Sequence, residues 1–352
     1  MEDNKVVLSV LVISHNQVGL LSRCLDSVLR QRLNVRYEVV VSDDRSTDGT
    51  WELIESYMER YPNIVRGVKC NSDECNPINR SERCGWNKAN VYNHACGEFF
   101  VNIDADDYLK SDSIYQAQLD ALLANPDCSM CQQRVWQVEE GKPLESGYAW
   151  PDSRLLTDGR KMSPGFAIRN DLQGLNSTYM FRRRWHENPT KIFGKLFDDT
   201  IITLYHLQFG DIIFLDRADY VWVQYGESIS NSLKGDDCLA IIALLPYQHA
   251  LLIPKFSRHF IARKNLDLVR LLKKSISHKV SLKDESLRYL AQFKGFIFKY
   301  YADGQNSVAG RVRLVVILVF LLLYYRGIGN KRKCEDRIYR LLFGWNGLAD
   351  VA

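Results

Sequence analysis

The sequence predicts an α/β chain: a doubly wound, mostly parallel sheet with a helical extension at its C-terminus. Three observations carry this. Short runs rich in β-branched residues alternate with stretches whose apolar residues recur at helical spacing. The strand-like runs are apolar throughout rather than alternating, which is how strands covered on both faces read. Two of them stop on acidic clusters, Asp43-Asp44 and Asp104-Ala105-Asp106-Asp107, at what would be their carboxyl ends.

Taken in order, VVLSVLVIS from Val6 is the first strand, broken by Ser14-His15-Asn16. Leu20, Leu21, Cys24, Leu25, Val28 and Leu29 then follow at helical spacing. YEVVV from Tyr37 is the second strand. Ser46 to Thr50 make a turn in which Thr47 or Asp48 can cap a helix over Trp51 to Tyr61. Val65 to Val68 is a third strand, Asn71 to Arg83 a polar loop, and Trp86 to Ala95 a helix. FFVNI from Phe99 is a further strand, and a helix over Ser113 to Ala124 closes the unit at Asn125-Pro126. Such alternation predicts ligands at the carboxyl ends of the strands, where the acidic clusters fall.

Beyond residue 127 the pattern is mixed, with strands near Ser129 to Val138 and Ile212 to Val223 and a helix near Asp198 to Phe209 between them. The expected organisation is a domain over 1–232, in two halves (1–127 and 128–232), and a helical extension over 233–352. Within that extension, 311–333 holds a run of twelve apolar or aromatic residues, Leu314 to Tyr325, fenced by Arg and Lys. As a helix this run rises about 18 Å, too short for a hydrocarbon core of roughly 30 Å. It suits a peripheral helix drawn to anionic lipid, or a core or dimer helix.

The net charge of +4 over 352 residues gives no reason to invoke nucleic acid. Nine cysteines, an odd number without paired knuckles, fit a reduced, cytoplasmic setting better than a disulfide framework. Cys128-x-x-Cys131 leaves a structural zinc as the lesser alternative to buried thiols. The start, MEDNKVV, lacks a signal peptide's basic and apolar character.

Chemistry concentrates in the acids. Asp104 and Asp106, at i and i+2 past a buried strand, can both reach one hard cation, Mg²⁺ or Mn²⁺, which would take substrate phosphates as further ligands. A departing diphosphate needs such neutralisation. The plain alternative is a solvated acidic turn. Asp43 and Asp44 can accept from a base or a ribose, or merely organise the turn with Asp48. Asp198-Asp199 opens a helix, either as a cap or as a general base for an acceptor hydroxyl.

LSVLVISHNQVGLLSRCLDSVLRQ, YEVVVSDDRSTDGTWELI and ACGEFFVNIDADDYL together resemble the nucleotide-binding half of the family-2 glycosyltransferases, which have a GT-A fold. GKLFDDTIITLYHLQFG and YVWVQYGESISNS resemble that family's later segments. The resemblance implies an inverting transfer from a nucleoside-diphosphate sugar, a UDP-sugar by preference, to a glycan or lipid-linked saccharide, as in bacterial surface polysaccharide synthesis. It implies that Ile13, His15 and Asp44 line the base, that Lys88 stands near the diphosphate, and that Asp104 meets ribose or metal. Asp106 would be the principal metal ligand and Asp199 the catalytic base. A lipid-carried acceptor would place the enzyme peripherally at the inner face of the plasma membrane.

Two departures stand out: Ile13-Ser14-His15-Asn16 replaces the family's Pro-Thr-Tyr-Asn, and Gln224-Tyr225 falls where a metal-binding His is expected. The competing classes are a nucleotidyltransferase, whose Gly-rich basic loop ISHNQVG matches poorly, and a non-catalytic nucleotide-sugar binder. A dinucleotide-dependent dehydrogenase is disfavoured because no G-x-G-x-x-G follows the first strand. Sugar choice would be set by the pocket between residues 105 and 200.

Overall fold

The computed structural model describes residues 5–75, 80–151, 156–169, 175–184 and 199–226. The expected boundary at 232, the extension 233–352 and its segment 311–333 lie outside the described residues. Among the described residues, no helix is long and apolar enough to cross a membrane.

The apolar runs become a stack of parallel strands. β1 (Leu8–Ser14) lies between β2 (Tyr37–Asp43) and β4 (Phe99–Asp104), parallel to both, and β3 (Val65–Lys69) extends the sheet beyond β2. On the far side of β4 the pairing becomes mixed. β9 (Tyr179–Arg182) inserts antiparallel between β4 and β6 (Cys128–Glu139), and the long β10 (Asp211–Gln224) runs parallel to β6. The order is β3-β2-β1-β4-β9-β6-β10-β5, where β5 is Tyr108–Leu109; β7 (Tyr148–Trp150) pairs with β6 and β8 (Lys161–Met162) with β10.

Helices cover both faces, as the continuous apolar runs require. Leu8, Val10, Val12, Val39, Val41, Val101 and Ile103 are fully or almost fully buried. They pack with Leu21, Cys24, Leu25 and Val28 of α1 (Val18–Leu29), Ile54 and Tyr57 of α2 (Thr50–Arg60), and Leu119 and Leu122 of α4 (Ile114–Ala124). Each such side chain contributes about 1.5–3 kcal/mol relative to exposure. On the opposite face lie α3 (Arg80–Asn93), whose Tyr92 meets Phe100 edge-on, and α6 (Asp199–His206), whose His206 packs against Phe100 and Phe181. A short helix, α5 (Pro164–Arg169), follows β8 and precedes α6 in the chain.

Two details differ from the sequence reading. α2 is capped by Gly49 in a left-handed conformation (φ 96°), and Asp48 serves from one residue earlier by accepting from the Thr50 N–H at 3.0 Å. α3 begins at Arg80, inside the stretch read as loop, because its first turn is wholly polar and carries no apolar period. Cys128 and Cys131 are sunk in the core, and among the described residues no three His, Cys, Asp or Glu side chains gather as a metal cage. The buried-thiol reading therefore holds for this pair.

The chain passes from β1 to β2 and β3, then crosses back to place β4 on the other side of β1. The connections thus diverge between β1 and β4, and the carboxyl ends of strands at such a divergence form the natural ligand crevice of an open α/β sheet.

Candidate functional site

The strand tips at this crevice are held in register. Ile13 of β1 stands opposite Asp104 of β4, and the Ala105 N–H donates to the Ile13 carbonyl at 3.3 Å. On the other side Ser14 stands opposite Asp43, and the Asp44 N–H donates to the Ser14 carbonyl at 3.1 Å. The His15 ring bonds the Asp44 carbonyl through Nδ1 at 2.6 Å. Asn16 (φ 50°) and Arg45 (φ 54°) both turn in the left-handed region just past β1 and β2. Asn16 accepts from the Thr47 N–H, and its own N–H donates to Ser46 Oγ, each at 2.8 Å. The two strand-tip loops are thereby joined. Beneath them Asn87 of α3 donates to the carbonyls of Ser14 and Ser42 at 3.0 and 3.3 Å.

The two acids at the end of β2 divide their work. Asp43 accepts from Ser14 Oγ at 3.2 Å and from the Ser46 N–H at 3.1 Å, so it organises the turn. Asp44 is buried, takes the Ser72 N–H and Oγ–H at 3.1 and 2.7 Å, and faces the Arg83 guanidinium at 3.4 Å. A carboxylate has about four lone-pair sites. Three are engaged, and the capacity that remains suits one further N–H or O–H.

The acids after β4 also differ from one another. Asp107 is buried and inward-facing: it accepts from the Val223 N–H at 2.9 Å and from the Tyr220 hydroxyl. Burial pushes its carboxyl well above the usual range, and the charges of Asp106 and Asp104 add to this. Asp104 and Asp106 are half-buried. Burial also pushes the Asp106 carboxyl up, opposed by the positive charges of Arg23 and Lys88. Lys88, on α3, is only 8% exposed, so its charge is spent inside the site rather than in solvent. Ile13, His15, Asp44, Lys88, Asp104 and Asp106 thus all belong to the one crevice. Asp199 heads α6, and its side chain lies outside the described residues.

Three features of this crevice carried no mark in the sequence. Arg23 of α1 lies over the Tyr108 ring at 4.4 Å and donates to the Asp106 carbonyl and to Tyr225 Oη, both at 3.0 Å. Tyr225, standing where a His was expected, donates to the same carbonyl at 3.3 Å. Asn102 donates to Asn176 Oδ1 at 3.0 Å in a buried amide pair on the face of β4 that carries Asp104. An exposed Arg on a helix reads as surface, and a Tyr at a strand end or an Asn within a strand as packing. Only the tertiary fold gives them meaning.

The donor set would suit a divalent cation: two half-buried carboxyls stand two residues apart at the tip of β4, and burial opposes the charge on Asp106. Two carboxylates leave the remaining positions of an octahedral shell to water and phosphate oxygens, the usual arrangement for Mg²⁺ at a phosphate-bearing substrate.

An open α/β sheet with a buried Asp44 just past β2 and the half-buried Asp104 and Asp106 at the end of β4 defines a class of fold that gathers acids at its strand-tip crevice. The sequence profile described as Glycosyl transferase family 2 matches residues 9–184. This chain belongs to that family. S. aureus TarS 1-349, crystallised in complex with UDP-GlcNAc, superposes with a TM-score of 0.63 over 98% of this chain and 95% of that one, at 20% identity. The GT-A architecture implied by the sequence motifs is therefore the one present. Uncharacterized protein Rv1520 of Mycobacterium tuberculosis is 25% identical over 232 residues, 65% of this chain and 62% of its own length. The poly(ribitol-phosphate) beta-glucosyltransferase of Bacillus spizizenii is 29% identical over 111 residues, 30% of this chain and 16% of that protein. The chain therefore spans about six-tenths of the mycobacterial relative and a much smaller part of the glucosyltransferase.

Proposed function

We propose that the protein transfers a sugar from a nucleoside-diphosphate sugar, preferably a UDP-sugar, to a hydroxyl of a glycan or lipid-linked saccharide, with inversion at the anomeric carbon. The observation that carries this is the meeting of Asp44, Lys88, Asp104 and Asp106 at the divergence of β1 and β4, in a member of a glycosyltransferase family. Asp44 accepts one donor from the base, such as the uracil imide N–H, while Ser72 and Arg83 hold its carboxylate in place. Ile13 and His15 line the base from the β1 loop. Lys88 lies beside the diphosphate, and Asp104 meets the ribose or the cation.

Asp104 and Asp106 hold Mg²⁺ or Mn²⁺, which when bound supplies positive charge to the departing diphosphate. Asp199 takes the proton of the acceptor hydroxyl as that oxygen attacks from the face opposite the leaving group. The UDP-GlcNAc complex of TarS and the glucosyltransferase similarity support the choice of donor class. A peripheral membrane site, served by 311–333, would suit a lipid-carried acceptor.

The test is a panel of UDP-, GDP- and dTDP-sugars assayed for nucleoside diphosphate release with and without saccharide acceptors, with the anomeric configuration of the product read by NMR. The expected result is one preferred UDP-sugar and an inverted product, with Asp199→Asn lowering kcat at little changed donor affinity. Retention of configuration, or full activity in Asp199→Asn, would contradict the assignment.

A further inference from the structure

Asn176 Nδ2 is among the buried polar atoms of the described residues that meet no hydrogen-bond partner. The residue is 1% exposed, and its side-chain oxygen accepts from Asn102. A buried amide N–H without an acceptor costs about 1–3 kcal/mol. In the orientation seen, the unmet pole is the N–H donor; turning both amides about would leave the acceptor Oδ1 unmet instead.

Its position is what gives the deficit meaning. Asn102 and Asp104 are two residues apart on β4, so their side chains share a face and their Cα atoms lie about 7 Å apart. Asn176 reaches this face through its bond to Asn102. Its neighbour Ser177 stands beside the Tyr220 hydroxyl, which donates to Asp107. Thr178 closes the segment, its carbonyl accepting from Gln118 Nε2 at 3.0 Å. The short turn Asn176–Thr178 is thereby tied to both ends of the acidic loop, and its orientation is fixed before any ligand arrives.

We infer that Asn176 is a specificity-determining residue whose Nδ2 donates a hydrogen bond to an oxygen of the transferred sugar. This rests on the donor reading given above and adds to it the group that recognises the sugar itself. A rigid, desolvated donor close to the cation-binding acids is the chemistry a hydroxyl-bearing ring recognises. A site built to bond a hydroxyl rejects an analogue that lacks it, because its own polar group is again left unmet.

The experiment measures kcat/KM for the preferred UDP-sugar and for each of its monodeoxy analogues, in wild type and in Asn176→Ala and Asn176→Ser, alongside calorimetric binding of UDP alone. Ser keeps an oxygen on the Asn102 side and guards against a misfolded variant. The expected result is a loss of about tenfold on the full sugar in both variants, and the same loss in wild type for one deoxy analogue. That analogue should lose nothing further in the variants, and UDP should bind all three proteins equally. Unchanged discrimination in both variants would overturn the inference alone, as would an equal loss on every donor or a parallel loss of UDP binding, since either marks a purely structural role. A wild type that turns over no nucleotide sugar would overturn the parent reading, and the inference with it.

Discussion

The hydroxyl of Tyr220 donates to the carboxylate of Asp107 across 113 residues of sequence, with both side chains buried. The bond ties β10 to the loop that carries Asp104 and Asp106, so a strand far along the chain helps to shape the acidic tip of β4. Phe in place of Tyr220 keeps the ring and strips the hydroxyl donor from the buried Asp107 carboxyl. Tyr220→Phe is expected to cost about 1–3 kcal/mol in urea denaturation and to lower transfer activity as the loop loosens.

Tyr225 and Arg23 act on the same loop from outside. Both donate to the Asp106 carbonyl, and neither donates to its carboxylate in the bonds seen here. Removing the Tyr225 hydroxyl should therefore leave the cation's ligands in place but less well aimed. Tyr225→Phe is expected to raise the Mg²⁺ or Mn²⁺ concentration for half-maximal activity several-fold, with less than about 1 kcal/mol lost in stability. A metal titration of the initial rate checks this.

His206 is fully buried, packed edge-on or tilted against Phe100, Phe181 and Tyr205, and burial lowers its pKa to about 3. Between the unfolded value of about 6.5 and that folded value, the unfolded chain carries a proton on this ring that the folded chain does not. Stability from this group is thus intact above pH 6.5 and declines as pH falls toward 3, by up to about 1.4 kcal/mol per pH unit. His206→Leu removes the slope. The stability of wild type relative to that variant is expected to fall with acidification across this window, as read by denaturant melts at several pH values.

Gly97 precedes β4 where its backbone touches β1. A Cβ there would lie 2.6 Å from the Ser9 nitrogen and 2.8 Å from the Leu8 carbonyl carbon. These are backbone atoms of the central strand, which cannot move aside as a flexible side chain would. Gly97→Ala is expected to destabilise by about 1–3 kcal/mol, measured by chemical denaturation, with the pairing of β1 and β4 disturbed.

The parallel half of the fold was legible because its strands are buried on both faces, so LSVLVIS, YEVVV and FFVNI stand out from any flanking composition. The acidic tips were legible for the same reason, since each ends such a run. β9 was not. Its four residues, Tyr179–Arg182, are too few to show a period, and only their antiparallel insertion between β4 and β6 makes them a strand. Asp107 looked like a third member of the acidic pair. It is turned inward because Val223 and Tyr220, far along the chain, supply its donors. Arg23 and Asn176 went unread because their partners are a backbone carbonyl and a buried amide, and neither leaves a trace in spacing.

The most direct test of the account is the rate of nucleoside diphosphate release from the preferred UDP-sugar, measured with Mn²⁺ and with EDTA in wild type and in Asp106→Ala. The account predicts that wild type is active with Mn²⁺ and silent with EDTA, and that Asp106→Ala falls by at least about a hundredfold in Mn²⁺. Wild-type turnover in EDTA as fast as in Mn²⁺, or Asp106→Ala as active as wild type in Mn²⁺, would contradict it.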